Sequence, residues 1–189
     1  IRLKKFTNQI TTLGLINKTL LFMNNKLLLG LFLFGFLSFS QAQINPKNID
    51  IVRDKWGVPH IYSKTDAETS YGLAWAHSED DFKTIQKTLL AGKGLLGRKL
   101  GKKGAAIDYF VQLIRARTVV DEKINTLSPQ FRKVLNGYVE GINAYAKTHK
   151  KEVTLKRLFP INEKDLLTSY VISLAVMDKV DRVIGDLFN

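Results

Sequence analysis

The chain has 189 residues, enough for one domain with a proper core, and its composition (45% hydrophobic, 24% charged) is that of a globular protein. It contains no cysteine, which excludes disulfides, thiolate metal sites and a cysteine nucleophile within this stretch. The net charge of +12 invites a nucleic-acid reading, yet residues 1–42 hold +5 of it with no acid, and the remaining lysines are scattered without an arginine-rich arm; a solvated basic surface is expected and no nucleic-acid partner.

Met23-Asn24-Asn25-Lys26 precedes eleven apolar residues, 27–37, and then Ser38-Phe39-Ser40-Gln41-Ala42. A charge, a short apolar run and small residues at Ser40 and Ala42 are the layout of a secretory signal peptide, residues 23–42, cleaved after Ala42. A membrane span needs roughly 20 apolar residues, so no stable membrane anchor is expected. The mature chain would begin at Gln43 and be periplasmic or secreted. Residues 1–22 precede Met23, a plausible initiator, and read as upstream sequence or a mis-set start.

Ile49-Asp50-Ile51-Val52-Arg53 and Val58-Pro59-His60-Ile61-Tyr62 read as two short strands joined by a tight turn at Lys55-Trp56-Gly57, with Gly57 free to take positive φ. Pro59 places the second strand at an edge or gives it an irregular start. Asp66 is the expected N-cap of a helix whose apolar stripe runs Tyr71, Trp75, Ser78, Phe82, Ile85, Leu89 and which Gly92 and Gly94 end. Residues 92–104 read as loop. A second helical region is expected over Ile107–Val120. Ser128-Pro129 starts another helix, and Gly137 and Gly141, four apart within it, imply close approach of a neighbouring element, since each costs about 1 kcal/mol relative to alanine. Asn162 caps a last helix with Glu163 and Asp165 in its first turn, and its body, Leu166–Val176, is apolar nearly all round and expected to be buried.

The chemistry-bearing residues are sparse. No Gly-x-Ser-x-Gly elbow accompanies the histidines, so His60 reads as structural and His149 as surface. His77 stands beside Glu79, Asp80 and Asp81, but only His77 and Asp81 are spaced i, i+4, and a capped, solvated acidic patch is the plainer reading. Gly92-Lys93-Gly94-Leu95-Leu96-Gly97 spells a dinucleotide fingerprint in the wrong place, after a helix rather than after a strand. The residues by themselves give a secreted, helix-rich protein with no self-contained active site, which leaves open a free-standing helical binding protein.

One further pattern bears on this. Arg53, Gly57-Val58-Pro59-His60-Ile61, Tyr71-Gly72-Leu73-Ala74-Trp75-Ala76-His77, Glu79-Asp80-Asp81, Gly97-Arg98-Lys99-Leu100-Gly101, Asp108, Tyr138-Val139-Glu140-Gly141-Ile142-Asn143-Ala144, Pro160 and Asp165 occur in an order and spacing that resembles the penicillin-amidase family of N-terminal-nucleophile hydrolases. The Ala-His-Ser-Glu-Asp-Asp-Phe run looks more like the branch of acyl-homoserine-lactone and aculeacin acylases than the aryl-acyl penicillin G enzymes. The resemblance implies an α+β fold, the helix-rich α-chain part (residues 43–189) of a four-layer αββα sandwich, incomplete without a β chain. It implies a precursor that cuts itself, with a serine at the start of the β chain as nucleophile and that serine's own α-amino group as base. The product would be an αβ heterodimer that hydrolyses the linear amide bond of a small N-acyl substrate. No catalytic residue then lies in this chain. The resemblance assigns it a wall of the acyl pocket at Met177, extended by Tyr170 and Leu174; core is the plainer reading of those two. Asp181 replaces the phenylalanine of the aryl-acyl pocket. The chemistry needs no cofactor, and Asp186 falls near the family's ligand to a structural calcium.

Overall fold

Soon after its first described residues the chain turns back on itself. β1 (Asp50–Arg53) and β2 (Pro59–Tyr62) pair antiparallel, with Asp50 opposite Tyr62 and Arg53 opposite Pro59. The computed structural model describes residues 44–180 and Arg182, so residues 1–22, the expected signal peptide at 23–42, Asp181 and Asp186 all lie outside the described residues. Gly57 sits at φ +83° in the turn, as its neighbours require. The turn is organised by a residue the sequence pattern did not single out. Asp54 Oδ1 accepts hydrogen bonds from the backbone N–H of Trp56 (2.8 Å) and of Val58 (3.0 Å), and these hold its carboxyl below the usual carboxylate range.

The hairpin lies on α1 (Asp66–Gly92). Contact is possible because Gly72 has no side chain: a Cβ there would stand 2.7 Å from Ile61 Cγ2 and 2.9 Å from Ile49 Cγ2. The N-cap of α1 is Thr65, one residue before the expected Asp66. Thr65 Oγ1 accepts from Glu68 N–H (3.2 Å), while the Asp66 carboxylate accepts instead from Gln130 Nε2 (3.2 Å). α1 is broken at Asp81 (φ −154°, ψ 68°), whose Oδ1 accepts from Thr84 N–H (3.0 Å) and so caps the second half.

Within 92–104, where a loop is expected, residues 93–95 and 101 are turns or irregular, while 96–100 and 102–104 are helical. α2 (Leu96–Leu100) and α3 (Lys102–Leu113) meet at Gly101, which takes φ +61°. Local pattern fails here because the partners are one element away. The Asp108 carboxylate of α3 accepts from Leu96 N–H (3.0 Å) and Gly97 N–H (2.8 Å), capping α2 from outside, and Gly104 packs directly on the Leu96 carbonyl. The helical region expected over Ile107–Val120 is made of α3 and α4 (Ala116–Lys123), divided at Arg115 in the left-handed region at φ +54°.

α5 (Pro129–Thr148) begins at Ser128 as expected, Ser128 Oγ accepting from Phe131 N–H (3.2 Å). It packs along α1. A Cβ on Gly137 would collide with the Ala67 carbonyl oxygen, and one on Gly141 would lie 2.5 Å from the Tyr71 carbonyl oxygen. The core between them gathers Ala74, Phe82, Leu135, Val139, Ile142 and Tyr145. α6 (Glu163–Met177) starts with a full capping box between Asn162 and Asp165 and lays one face on the end of α1. Among the described residues the hairpin is the only sheet, so the fold is helix-rich α+β. No described helix is long and apolar enough to cross a membrane.

Candidate functional site

α6 is not buried all round. Asp165, Leu166, Ser169 and Ile172 face inward at 3–7% exposure, and the expectation of a fully buried helix is corrected on the opposite side. There Tyr170 (50% exposed), Leu174 (60%) and Met177 (76%) follow at i, i+4 and i+7, with Val176 beside them (47%). These three are the residues expected to line a pocket wall. Among the described residues they form one apolar stripe that is half or more exposed, where the plainer reading has Tyr170 and Leu174 as core. An all-apolar helix pattern says that every face avoids water; it does not say what covers each face.

The stripe adjoins a second group. The Tyr138 phenol of α5 is pushed up to about 12, first by burial and then by the neighbouring Tyr170 phenol. Tyr138 Oη lies 2.9 Å from His77 Nδ1, their rings edge to face at 6.1 Å. His77 is therefore tied to the floor beside the stripe rather than to the acids that follow it. Those acids are engaged elsewhere. Arg53 reaches Glu79 Oε2 (3.1 Å) and Asp80 Oδ1 (2.8 Å) and donates to the Gly57 carbonyl (2.8 Å). Trp75 Nε1 donates to Glu79 Oε1 (2.9 Å). The residues of the sequence motif thus clasp the hairpin to α1. Among the described residues no group of three His, Asp or Glu side chains gathers to hold a metal ion.

The other histidines make local contacts. His60 Nε2 sits 3.5 Å from Asp54 Oδ2. His149 is half-buried rather than at the surface, stacked on Tyr145 at 3.9 Å between ring centroids. Two polar clamps of the motif become legible only in space. Asn143 brackets Ile161, donating to its carbonyl (2.9 Å) and accepting from its N–H (2.8 Å). Asp165 is the hub of three helices: besides its capping role it accepts from Arg117 of α4 (2.9 Å) and pairs with Lys93 at the end of α1 (3.3 Å). A cavity of about 350 Å³ lies there, lined by Lys93, Gln112, Arg115, Arg117, Thr118 and Asp165, with no nucleophile and base in hydrogen-bond reach of one another.

The family model of penicillin amidase matches residues 48–173. The chain belongs to the penicillin amidase family. Among its relatives are a penicillin G acylase of Escherichia coli, 28% identical over 104 residues, and an acyl-homoserine lactone acylase of Pseudomonas syringae pv. syringae, 26% identical over 129 residues. These matches cover 55% and 59% of this chain but only 12% and 17% of the relatives, so the chain spans a small part of their length. A solved penicillin G acylase chain from Alcaligenes faecalis shares the fold at TM-score 0.58 and 22% identity, over 67% of this chain and 72% of that chain. In this penicillin amidase family member the hairpin, α1 and α5 supply the scaffold, the matched region includes Tyr170 of the stripe, and Leu174 and Met177 extend it just beyond.

Proposed function

We propose that this chain is the α-chain region of a secreted acylase that hydrolyses the linear amide bond of small N-acyl substrates of the penicillin or acyl-homoserine-lactone type. The exposed stripe Tyr170, Leu174, Met177 carries the reading. An apolar face of that kind on a helix that is otherwise core belongs against something apolar, and a β chain enclosing an acyl group between itself and α6 meets that need. The relative lengths support a two-chain product, because the chain matches most of one solved acylase chain and a small fraction of relatives one of which is described as a proenzyme.

On this reading the described residues bind and position. Tyr170, Leu174 and Met177 exclude water from one side of the acyl chain. Tyr138, neutral across the physiological range, keeps an O–H at the stripe's edge next to His77. The nucleophilic serine, its α-amino base and the oxyanion donors would stand on the β chain and complete a four-layer αββα sandwich. Asp186 remains the proposed calcium ligand, and the reaction needs no metal.

Expressing the chain together with the sequence that follows it, and assaying a panel of N-acyl amides, tests the proposal. The processed pair should hydrolyse at least one class and the chain alone none. Full activity of residues 43–189 by themselves would overturn it.

A further inference from the structure

Residues 93–120 contain seven Lys and Arg and a single acid, Asp108. That acid is engaged at its own site: Asp108 is half-buried and both its oxygens accept from the backbone of Leu96 and Gly97. Two of the cations, the partly buried Lys93 and the half-exposed Arg117, pair with Asp165. What remains on the outside of α2 and the start of α3 is Arg98, Lys99, Lys102 and Lys103, all exposed.

The same surface carries apolar groups. Gly104 and Val111 fix the inner face of α3. On the solvent side Lys102, Ala106, Tyr109 and Leu113 recur at i, i+4, i+7 and i+11, with Tyr109 61% and Leu113 44% exposed. Leu100 is 46% exposed in the midst of the four cations. A short helix with cations at its start, a tyrosine midway and an exposed leucine at its end, preceded by the exposed Leu100 of α2, suits a membrane interface rather than a crossing. α3 has 12 residues, too few to span.

From this we infer that the α2–α3 surface docks on an anionic lipid bilayer, the cations meeting the headgroups while Leu100, Tyr109 and Leu113 enter the interface. The fit is one of charge and apolarity together; a nucleic acid would use the charge alone and leave the leucines in water. The surface lies away from the α6 stripe in sequence and in composition, so it stands whether or not the acylase reading does.

Co-sedimentation of the full chain with phosphatidylglycerol-containing and with pure phosphatidylcholine vesicles tests it. Each Lys or Arg at such a surface is worth about fivefold in affinity. Replacing Arg98, Lys99, Lys102 and Lys103 together by glutamine should therefore weaken binding to the anionic vesicles by more than about tenfold, and by about 600-fold where all four meet headgroups, and leave binding to neutral vesicles unchanged. The apolar run at 27–37 is present in both proteins and cancels in the comparison. A second variant, Tyr109→Trp, should add a blue-shifted emission on anionic vesicles that the parent lacks. Equal binding by parent and glutamine variant, or emission from the introduced indole that is indifferent to vesicles, would overturn the inference. So would tighter retention on duplex DNA than on anionic vesicles at the same salt. Loss of vesicle binding when the chain is purified with a β chain would give the surface to that partner instead.

Discussion

Gly137 of α5 lies against the carbonyl of Ala67 on α1 with no room for a methyl group between them. The obstacle is backbone, not the end of a flexible side chain, so the two helices must part to admit one. In an open helix Gly→Ala gains about 1 kcal/mol. Here Gly137→Ala should lose about 1–3 kcal/mol through overpacking. Denaturant midpoints of the two proteins check the sign, and a stabilised variant would show that α1 and α5 slide easily.

The buried phenol of Tyr138 gives the fold an alkaline limit. Its proton is held more tightly folded than unfolded, with the folded value near 12 against an ordinary 10. Its contribution is complete below pH 10 and is lost as pH rises from there toward 12. Tyr138→Phe should reduce the slope of stability against pH in that window. Tyr71 and Tyr145 are also raised by burial, so the slope will not vanish. Melts at a series of alkaline pH values, with tyrosinate absorbance in parallel, measure it.

Asp165 joins three helices, and its loss should be felt at all of them. Asp165→Ala removes half of the capping box and leaves the half-exposed Arg117 with Asp121 alone and Lys93 with only the Leu158 carbonyl, a cost of about 2–4 kcal/mol. Asp165→Asn keeps an oxygen for the cap but no charge, and should recover roughly half of that. Thermal melts of both variants rank them; equal losses would mean that the ion pairs, not the cap, are what matters.

Substitutions on the α6 stripe should behave in the opposite way. Leu174→Ser and Met177→Ser change exposed positions, and the isolated chain should keep its stability within about 0.5 kcal/mol. The same changes should impair assembly with a β chain or raise KM for acyl substrates. A large loss of stability in the isolated chain would return these residues to the core.

These cases mark where sequence pattern ends. Gly137 and Gly141 announced a close helix contact because glycine at helical spacing is costly without one, and the Ser128 and Asn162 caps follow from their own neighbours. The 92–104 segment misleads for the converse reason. Its glycines look like loop, while the groups that make it helical, Asp108 and the Leu96 carbonyl facing Gly104, act across an element boundary. Asp66 looks as good a cap as Thr65, and only the hydrogen bond to Glu68 N–H separates them. The pocket-wall residues were named by family resemblance, yet their exposure is a property of what surrounds α6, which a periodicity within α6 does not encode.

The joint at Asp81 sets how this scaffold can vary. An unbroken helix turns everything beyond an inserted residue by about 100°, so a single insertion in α1 would swing either Gly72 off the hairpin or Gln86 off its partners at Glu152 and Thr154. With its own cap at Asp81, the second half keeps its own phase. Length changes confined to that joint can be absorbed there, leaving the motif that clasps the hairpin and the clamp that orders the loop before α6 to drift independently.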